Sequence, residues 1–354
     1  MRFYTRLFLA LSLTLFPCTL LSKQPADSSL FQKGVALFME MIDNRNPSDI
    51  DPSFIGVPEH DWLITATTNF AGLFATVNGK DIPTFGNISA SLHSNVSGKV
   101  GVGAGFRGLY LAYSFDMTKG YSKDLNLTLY KQRFGVEFRS HSTDRLSGKL
   151  SASILPGMAL PISKGDTRLK ATILDGYYVF NSKHYSLPAA MTQGLIQKRS
   201  SGSVTAYALF MSGKLEAKDP VVAVIGGGLE SMEFYQAGAG IGYGYNFTPN
   251  QGKFLLHLSA APMLVFFNKN IFTMLKDIDL PDGSSYLTEI SKLVKTKHKV
   301  FLTGIARAAI VYRLNSHVYM AAKALINDIR FSTESNVKLH MEDWVANFTV
   351  GVRF

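Results

Sequence analysis

The sequence predicts an all-β fold, an antiparallel transmembrane β-barrel of about 12 strands (10–14 fit) with a short N-terminal helix ahead of it. Three observations lead there. Many segments alternate apolar and polar residues with a period of two. The chain is 46% hydrophobic and only 18% charged, yet after its first 22 residues it has no apolar run long enough for a spanning helix. Its last strand closes on a terminal phenylalanine.

The chain opens as a secretory signal does. Arg2 and Arg6 give a positive start, and Leu7 to Leu21 is mostly apolar. As a helix this run would span about 22 Å at ~1.5 Å per residue, short of the hydrocarbon core. Residues 1–22 are therefore read as a signal peptide cut after Ser22. Cys18 invites a lipid-anchor reading, but Phe16 and Pro17 are too bulky and stiff for such a site. Removing the signal takes the only cysteine, so a thiol nucleophile, disulfide or thiolate metal site is not expected. The net charge then falls from +10 to +8 with the loss of Arg2 and Arg6. In an exported chain that surplus fits the phosphates of lipopolysaccharide or anionic solutes, and no nucleic-acid partner is expected.

Residues 23–60 form a leader in which Phe31, Val35, Phe38, Met39 and Ile42 share one helical face after Ser28 or Ser29. The barrel is assigned to 61–354. Its strands are expected near 61–77, 86–95, 98–106, 108–118, 124–141, 169–181, 201–215, 234–247, 253–267, 299–313, 317–333 and 343–354. In the last of these Trp344, Ala346, Phe348, Val350, Val352 and Phe354 line one face, opposite Asn347, Thr349, Gly351 and Arg353. This form is similar to the C-terminal strand by which assembly machinery recognises outer-membrane barrels. From Tyr235 to Phe247, odd apolar and aromatic positions alternate with glycines, and Val100, Val102, Ala104 and Phe106 do so with Gly101, Gly103 and Gly105. Inward glycines would make room for a narrow lumen or for a loop folded into it. Such an extended frame does not suit a phosphate loop, which needs a turn opening a helix.

Three places strain the count. Residues 86–106 could be one bent strand, and 142–168 could hide another pair. In 124–141 the apolar phase switches between Leu125, Leu127, Leu129 and Phe134, Val136, Phe138, which requires a bulge or break. An even count puts both ends of the barrel on the periplasmic side, with short links such as Asn315-Ser316 there and 142–168, 216–233 and 268–298 outside. Within the last of these, Tyr286, Ile290, Leu293 and Val294 have helical spacing.

Candidate functional residues are the charges expected to face the lumen: Arg133, Glu137 and Arg139 on one face, and Arg307, Arg313, Lys323 and Arg353 on the closing strands. Ionisable groups inside a membrane protein line a watery path or pair with one another. Ser186 to Gln197, with Pro188 and small residues, interrupts the strand pattern and could fold into the lumen, leaving Lys198 and Arg199 where the chain re-enters a strand. His257 and Ser259 share a strand face, as in outer-membrane phospholipases, where a histidine, a serine two residues on and an asparagine cooperate. Asn246 could reach them across the hairpin, Asn268 less readily. Glu59-His60-Asp61 reads as a polar lead into the first strand, and no metal site or cofactor is expected.

Asp175-Gly176-Tyr177-Tyr178-Val179-Phe180-Asn181, Ser186-Leu187-Pro188-Ala189-Ala190 and Gln197-Lys198-Arg199-Ser200-Ser201-Gly202-Ser203 resemble an uncharacterised Bacteroidetes family of outer-membrane barrels named only as a domain of unknown function. Gly105 to Asp116 resembles the same family's early hairpin. The resemblance implies a Gram-negative outer-membrane barrel and brings no activity or site with it. The expected function is a narrow channel or transporter for small or anionic solutes. The alternatives are a structural or assembly-partner barrel of the envelope and a phospholipase-like hydrolase using His257 and Ser259. Expected partners are outer-membrane lipids, lipopolysaccharide, the assembly machinery during insertion, and a small solute.

Overall fold

The computed structural model describes Gln32, Lys33 and residues 50–354, except 83–85, 95–96, 117–121, 145, 154–155, 226–227, 280–284, 297–299 and 333–336. Contacts divide the chain into a unit of residues 1–43 and a unit of residues 44–354. In the first, Gln32 and Lys33 are helical and exposed; the signal peptide and the rest of the expected leader helix lie outside the described residues.

The second unit begins with β1 (Ile55–Gly56), then β2 (Trp62–Ile82), β3 (Gly86–Ser94), β4 (Ser97–Phe106), β5 (Leu109–Asp116) and β6 (Ser122–Tyr130). β7 (Phe134–Thr143), β8 (Leu146–Ala152), β9 (Ala159–Ile162) and β10 (Thr167–Val179) follow. Helix α1 (Pro188–Met191) and β11 (Ile196–Gln197) lead into β12 (Ser201–Ala217), α2 (Pro220–Ile225), β13 (Leu229–Phe247) and β14 (Phe254–Asp279). The chain ends with β15 (Ser285–Thr296), β16 (Phe301–Arg313), β17 (Val318–Ser332) and β18 (Val337–Arg353). Twelve antiparallel staves, β2, β4, β5, β6, β7, β10, β12, β13, β14, β16, β17 and β18, pair in that order, and β18 closes on β2. Closure leaves no unpaired edge along those staves.

The count of twelve agrees with the sequence, through two departures that offset each other. Residues 86–106 are one bent stave in two pieces: β4 pairs with the first half of β2 and β3 with its second half. Residues 124–141 are two strands, β6 and β7, joined by a turn at Lys131–Arg133. The phase switch after Leu129 is that turn. The segment expected to be helical around Tyr286 to Val294 is strand β15, paired with the distal part of β14. The long β14 offers a ladder of backbone partners there, and cross-strand pairing overrides a helical spacing. The pair that 142–168 could hide is β8 and β9, which extend the sheet beyond β3, and 216–233, expected outside, carries the paired ends of β12 and β13 with α2 between them.

The barrel is inverted relative to a soluble protein. Ile241, Val102, Leu258, Leu302, Phe266 and Ile326 all point outward and are more than half exposed. An outward ring of Trp62, Phe134, Phe180, Phe247, Tyr312 and Phe354 marks the end at which the barrel strands begin and end. Apolar staves flanked by an aromatic girdle are how a barrel meets lipid and its interface. In β18, Phe348, Val350, Val352 and Phe354 face out while Thr349 and Arg353 are buried within, as their alternation requires. Among the described residues no helix is long and apolar enough to cross a membrane.

Candidate functional site: a plugged, charged lumen

The lumen is filled in three levels. At the end carrying Trp62 and Arg353, residues 180–200 fold inward as a plug. Tyr185, Leu187, Ala189, Ala190 and Leu195 have no exposed surface. Pro188, at the first turn of α1, starts a helix of four residues, and the small Ala189 and Ala190 let it lie against Leu63, Leu255, Ala309, Val311 and Tyr319 of the wall. At the far end, Leu146, Leu150 and Ile162 of the β8–β9 extension pack with Leu73, Met211, Phe234, Phe272 and Met341. Between these two apolar levels a belt of polar side chains surrounds a partly open cavity of about 220 Å³.

The plug is tied to the wall by side chains that reach its backbone. Asn246 Nδ2 donates to Ser186 O at 2.8 Å and to Gln197 Oε1 at 2.9 Å, and Gln132 Nε2 donates to Tyr185 O at 2.9 Å. Arg313 donates to Gln193 Oε1 at 2.6 Å, Arg353 donates to Gln193 O, and Lys323 Nζ donates to Met191 O. Gln193 sits at φ 62°, a turn that aims its carbonyl at the wall. These cations satisfy carbonyls that burial would otherwise leave unpaired. Gly244 makes room for this plug, because a Cβ there would collide with the Tyr185 hydroxyl. Gly103 serves the wall instead, its missing Cβ leaving space for Tyr110 and Thr65.

Outside the plug, the leader pairs with it. Ile55 faces Gln197 in a short antiparallel pair, Lys198 Nζ donates to Pro52 O at 3.0 Å, and Arg199 lies 4.7 Å over the Phe54 ring. Lys198 and Arg199 thus hold the leader and do not line the cavity. Chain reversal at 131–133 places Arg133 in the turn, exposed, with Nε 3.4 Å from Ser182 Oγ. It does not share a luminal face with Glu137 and Arg139. Asp61 approaches Arg107 at 3.5 Å and His60 stacks on His317 at 4.2 Å, just before the first stave.

Glu137, Arg139, Arg307 and Lys323 do converge on the cavity. Arg139 Nη2 is 2.5 Å from Asp175 Oδ2 and its Nε 3.6 Å from Glu137 Oε1. Arg307 shares Asp175 at 3.7 Å and lies 5.3 Å from the Tyr207 ring centroid. Tyr130 donates to Glu137 at 2.6 Å and Asn126 Nδ2 at 2.9 Å. On the β4–β7 wall, Asp124 takes Lys99 at 2.5 Å and pairs with His141. Asp175, Asp124, Lys99, His141 and Asp343 were not among the candidates read from the sequence. Their inward phase on β10, β6, β4, β7 and β18 is a signal that could have found them, once the break after Leu129 is treated as a turn.

A second constellation lies beside the plug. Asn246 and His257 are cross-strand partners, and Ser259 is two residues on from His257 along the same luminal face. Because Asn246 Nδ2 serves the Ser186 carbonyl, Asn246 Oδ1 is left to accept from His257 Nδ1 at 2.8 Å. His257 Nε2 then accepts from the Ser259 hydroxyl at 3.0 Å. This is the hydrogen-bond order of a serine nucleophile, its base and an orienting amide. His257 is fully buried and Ser259 half-buried, and neither lines the 220 Å³ cavity. Asn268 lies away from His257, its Oδ1 3.5 Å from Gln236 Nε2. Among the described residues no group of histidines, cysteines and carboxylates is arranged to hold a metal.

The sequence profile of DUF4421, a domain of unknown function, matches residues 51–354. A sequence search of curated proteins finds no match. Similar solved structures include the outer membrane protease OmpT from Escherichia coli, 8% identical over 84% of this chain and 98% of that one, with a TM-score of 0.41. The toluene transporter TodX of P. putida is 8% identical over 84% and 91%, with a TM-score of 0.30. A FadL homologue of Pseudomonas aeruginosa is 10% identical over 83% and 90%, with a TM-score of 0.23.

Proposed function

The chain belongs to DUF4421, a family whose function is unnamed, and from that premise we propose that it is an outer-membrane barrel conducting a small polar solute through a lumen closed by its own plug. One observation carries the reading: a cavity of about 220 Å³ with charged and polar side chains among its apolar wall residues lies between the plug and the far-end apolar cluster. A barrel serving only as a structural element of the envelope gains nothing from such a space, since filling it with apolar side chains would add packing. The apolar exterior and aromatic girdle support the membrane, and outer membranes are where closed barrels of this kind reside.

The test is single-channel recording of the purified full chain beside a variant lacking 186–197. The full chain should rest closed or conduct in rare events, and the deletion should conduct steadily, with reversal potentials reporting its charge preference. Silence from both would refute conduction.

The hydrolase reading is favoured by the Ser259–His257–Asn246 geometry alone. Release of the plug from Asn246 would have to open the site to lipid or ester. Phospholipid turnover by the full chain that disappears in Ser259→Ala would establish it, and undiminished turnover in that variant would end it.

A further inference from the structure

Most charged groups around the cavity are paired. Asp124 has Lys99 and His141, and Glu137 has Arg139, which it shares with Asp175. Two have no direct ion pair among the described residues. Lys323 Nζ has a hydrogen bond to Met191 O of the plug, and Glu137 acts on it only from beyond ion-pair distance. Asp343 has a hydrogen bond from Asn327 Nδ2 at 3.5 Å and feels the Arg139 charge without a direct ion pair. Both line the same cavity, together with Arg307, whose Nη1 is buried without a hydrogen-bond partner. Charges held without a direct ion pair, and orphaned polar atoms beside them, are costly inside a barrel unless something completes them.

The separation of the two charges indicates what that is. Lys323 is the cross-strand partner of Asn347, and Asp343 lies four residues further from the plug on the same strand. At ~3.3 Å per residue, the two rows are about 13 Å apart. Subtracting a contact of about 3 Å at each end leaves about 7 Å. That is the length of two extended peptide residues. We propose that the cavity binds a small zwitterion of dipeptide size, its carboxylate on Lys323 and Arg307 and its ammonium on Asp343. The inference rests on the solute-conducting reading and names the solute class. It also supplies a link to opening. A carboxylate arriving at Lys323 competes with the Met191 carbonyl for the same ammonium, so binding loosens one of the ties of the plug.

Calorimetric titration of the purified full chain in detergent, at fixed ionic strength, tests the site with glycylglycine as the probe. Acetylglycylglycine lacks the ammonium and glycylglycinamide lacks the carboxylate; each should bind at least tenfold more weakly. Lys323→Met should abolish glycylglycine binding, with an unchanged folded mobility on electrophoresis showing an intact barrel. Asp343 has no hydrogen bond or ion pair to the described plug residues, so Asp343→Asn offers an independent variant, expected to bring glycylglycine and acetylglycylglycine to equal affinity. Absence of binding, or binding indifferent to both substitutions, would overturn the site. For the coupling, hydrogen exchange at amides 189–195 should quicken severalfold when glycylglycine is added. Binding without that change would overturn the link to the plug. If the plug-deleted barrel conducts but glycylglycine does not bind, the site fails alone. If glycylglycine binds through Lys323 and no variant conducts, the conduction reading fails alone.

Discussion

Gly244→Ala adds one methyl group at the place where the plug meets the wall, and it probes whether the plug is seated as described. The added Cβ would overlap the Tyr185 hydroxyl, stand 3.0 Å from Tyr185 Cζ and 3.2 Å from Ser259 Cβ. Tyr185 has no exposed surface and is packed among Tyr177, Tyr207 and Met263, so its ring has little room to retreat. Overpacking of a close-fitted interior costs about 1–3 kcal/mol. The strain should appear first in the plug, because β13 is laddered on both sides and the plug is held by side chains. Urea unfolding in detergent should therefore show a loss of that size, and exchange of amides in 184–190 should rise about 5- to 160-fold. Tyr185→Phe removes the overlapping oxygen, which has no hydrogen-bond partner, and should be neutral or slightly stabilising alone. In the double variant most of the loss should be recovered, a coupling of about 1 kcal/mol or more. A Gly244→Ala protein as stable as the parent, or a double variant no better than Gly244→Ala, would refute the placement of Tyr185 against β13.

Four further outcomes follow from particular contacts. Asp175→Asn leaves Arg139 and Arg307 short of a shared counter-charge and should destabilise the barrel by about 3–5 kcal/mol, whereas Asp343→Asn, which breaks no ion pair, should cost far less; urea titrations compare them. Arg313→Met removes the bond to Gln193 and should raise protease cleavage within 186–197 several-fold, with little change in the exchange of β13 and β14 amides. Arg199→Ala and Phe54→Ala should release the leader to a similar degree, seen as faster exchange at Ile55 and Gly56, and a double variant should add little to either. Hydrogen bonds from Ser53, with a smaller contribution from His184, hold the Asp51 carboxyl below the ordinary 3.8. A depressed folded value stabilises above pH 3.8 and is lost as pH falls through it, so leader exchange should quicken below pH 3.8 in the parent and not in Asp51→Asn.

The class of this protein is written in its local pattern. Period-two alternation from Trp344 to Phe354 and from Tyr235 to Phe247 dictates which side chains meet lipid and which meet the lumen, because successive strand residues point to opposite faces. That rule needs no partner strand; it turns Glu137, Arg139, Arg307, Arg313, Lys323, Arg353, His257 and Ser259 inward, where their side chains meet the cavity, the plug or one another. Pro188 and the small residues around it likewise marked a segment unable to continue a strand, and it is the plug. Pairing was not written there. Whether 86–106 is one stave or two depends on which half of β2 each piece meets, and whether 285–296 is helix or strand depends on the length of β14 beside it. Arg133 was misplaced because a phase break does not say whether the chain bulges or turns back. Asp175 joining Arg139 to Arg307, and Lys323 standing apart from Asp343, arise from register and curvature across strands remote in sequence. The alternation determined inside from outside; only closure of the sheet decided which inward residues face one another, since those distances are set by the shear of twelve staves and not by any stretch of the chain.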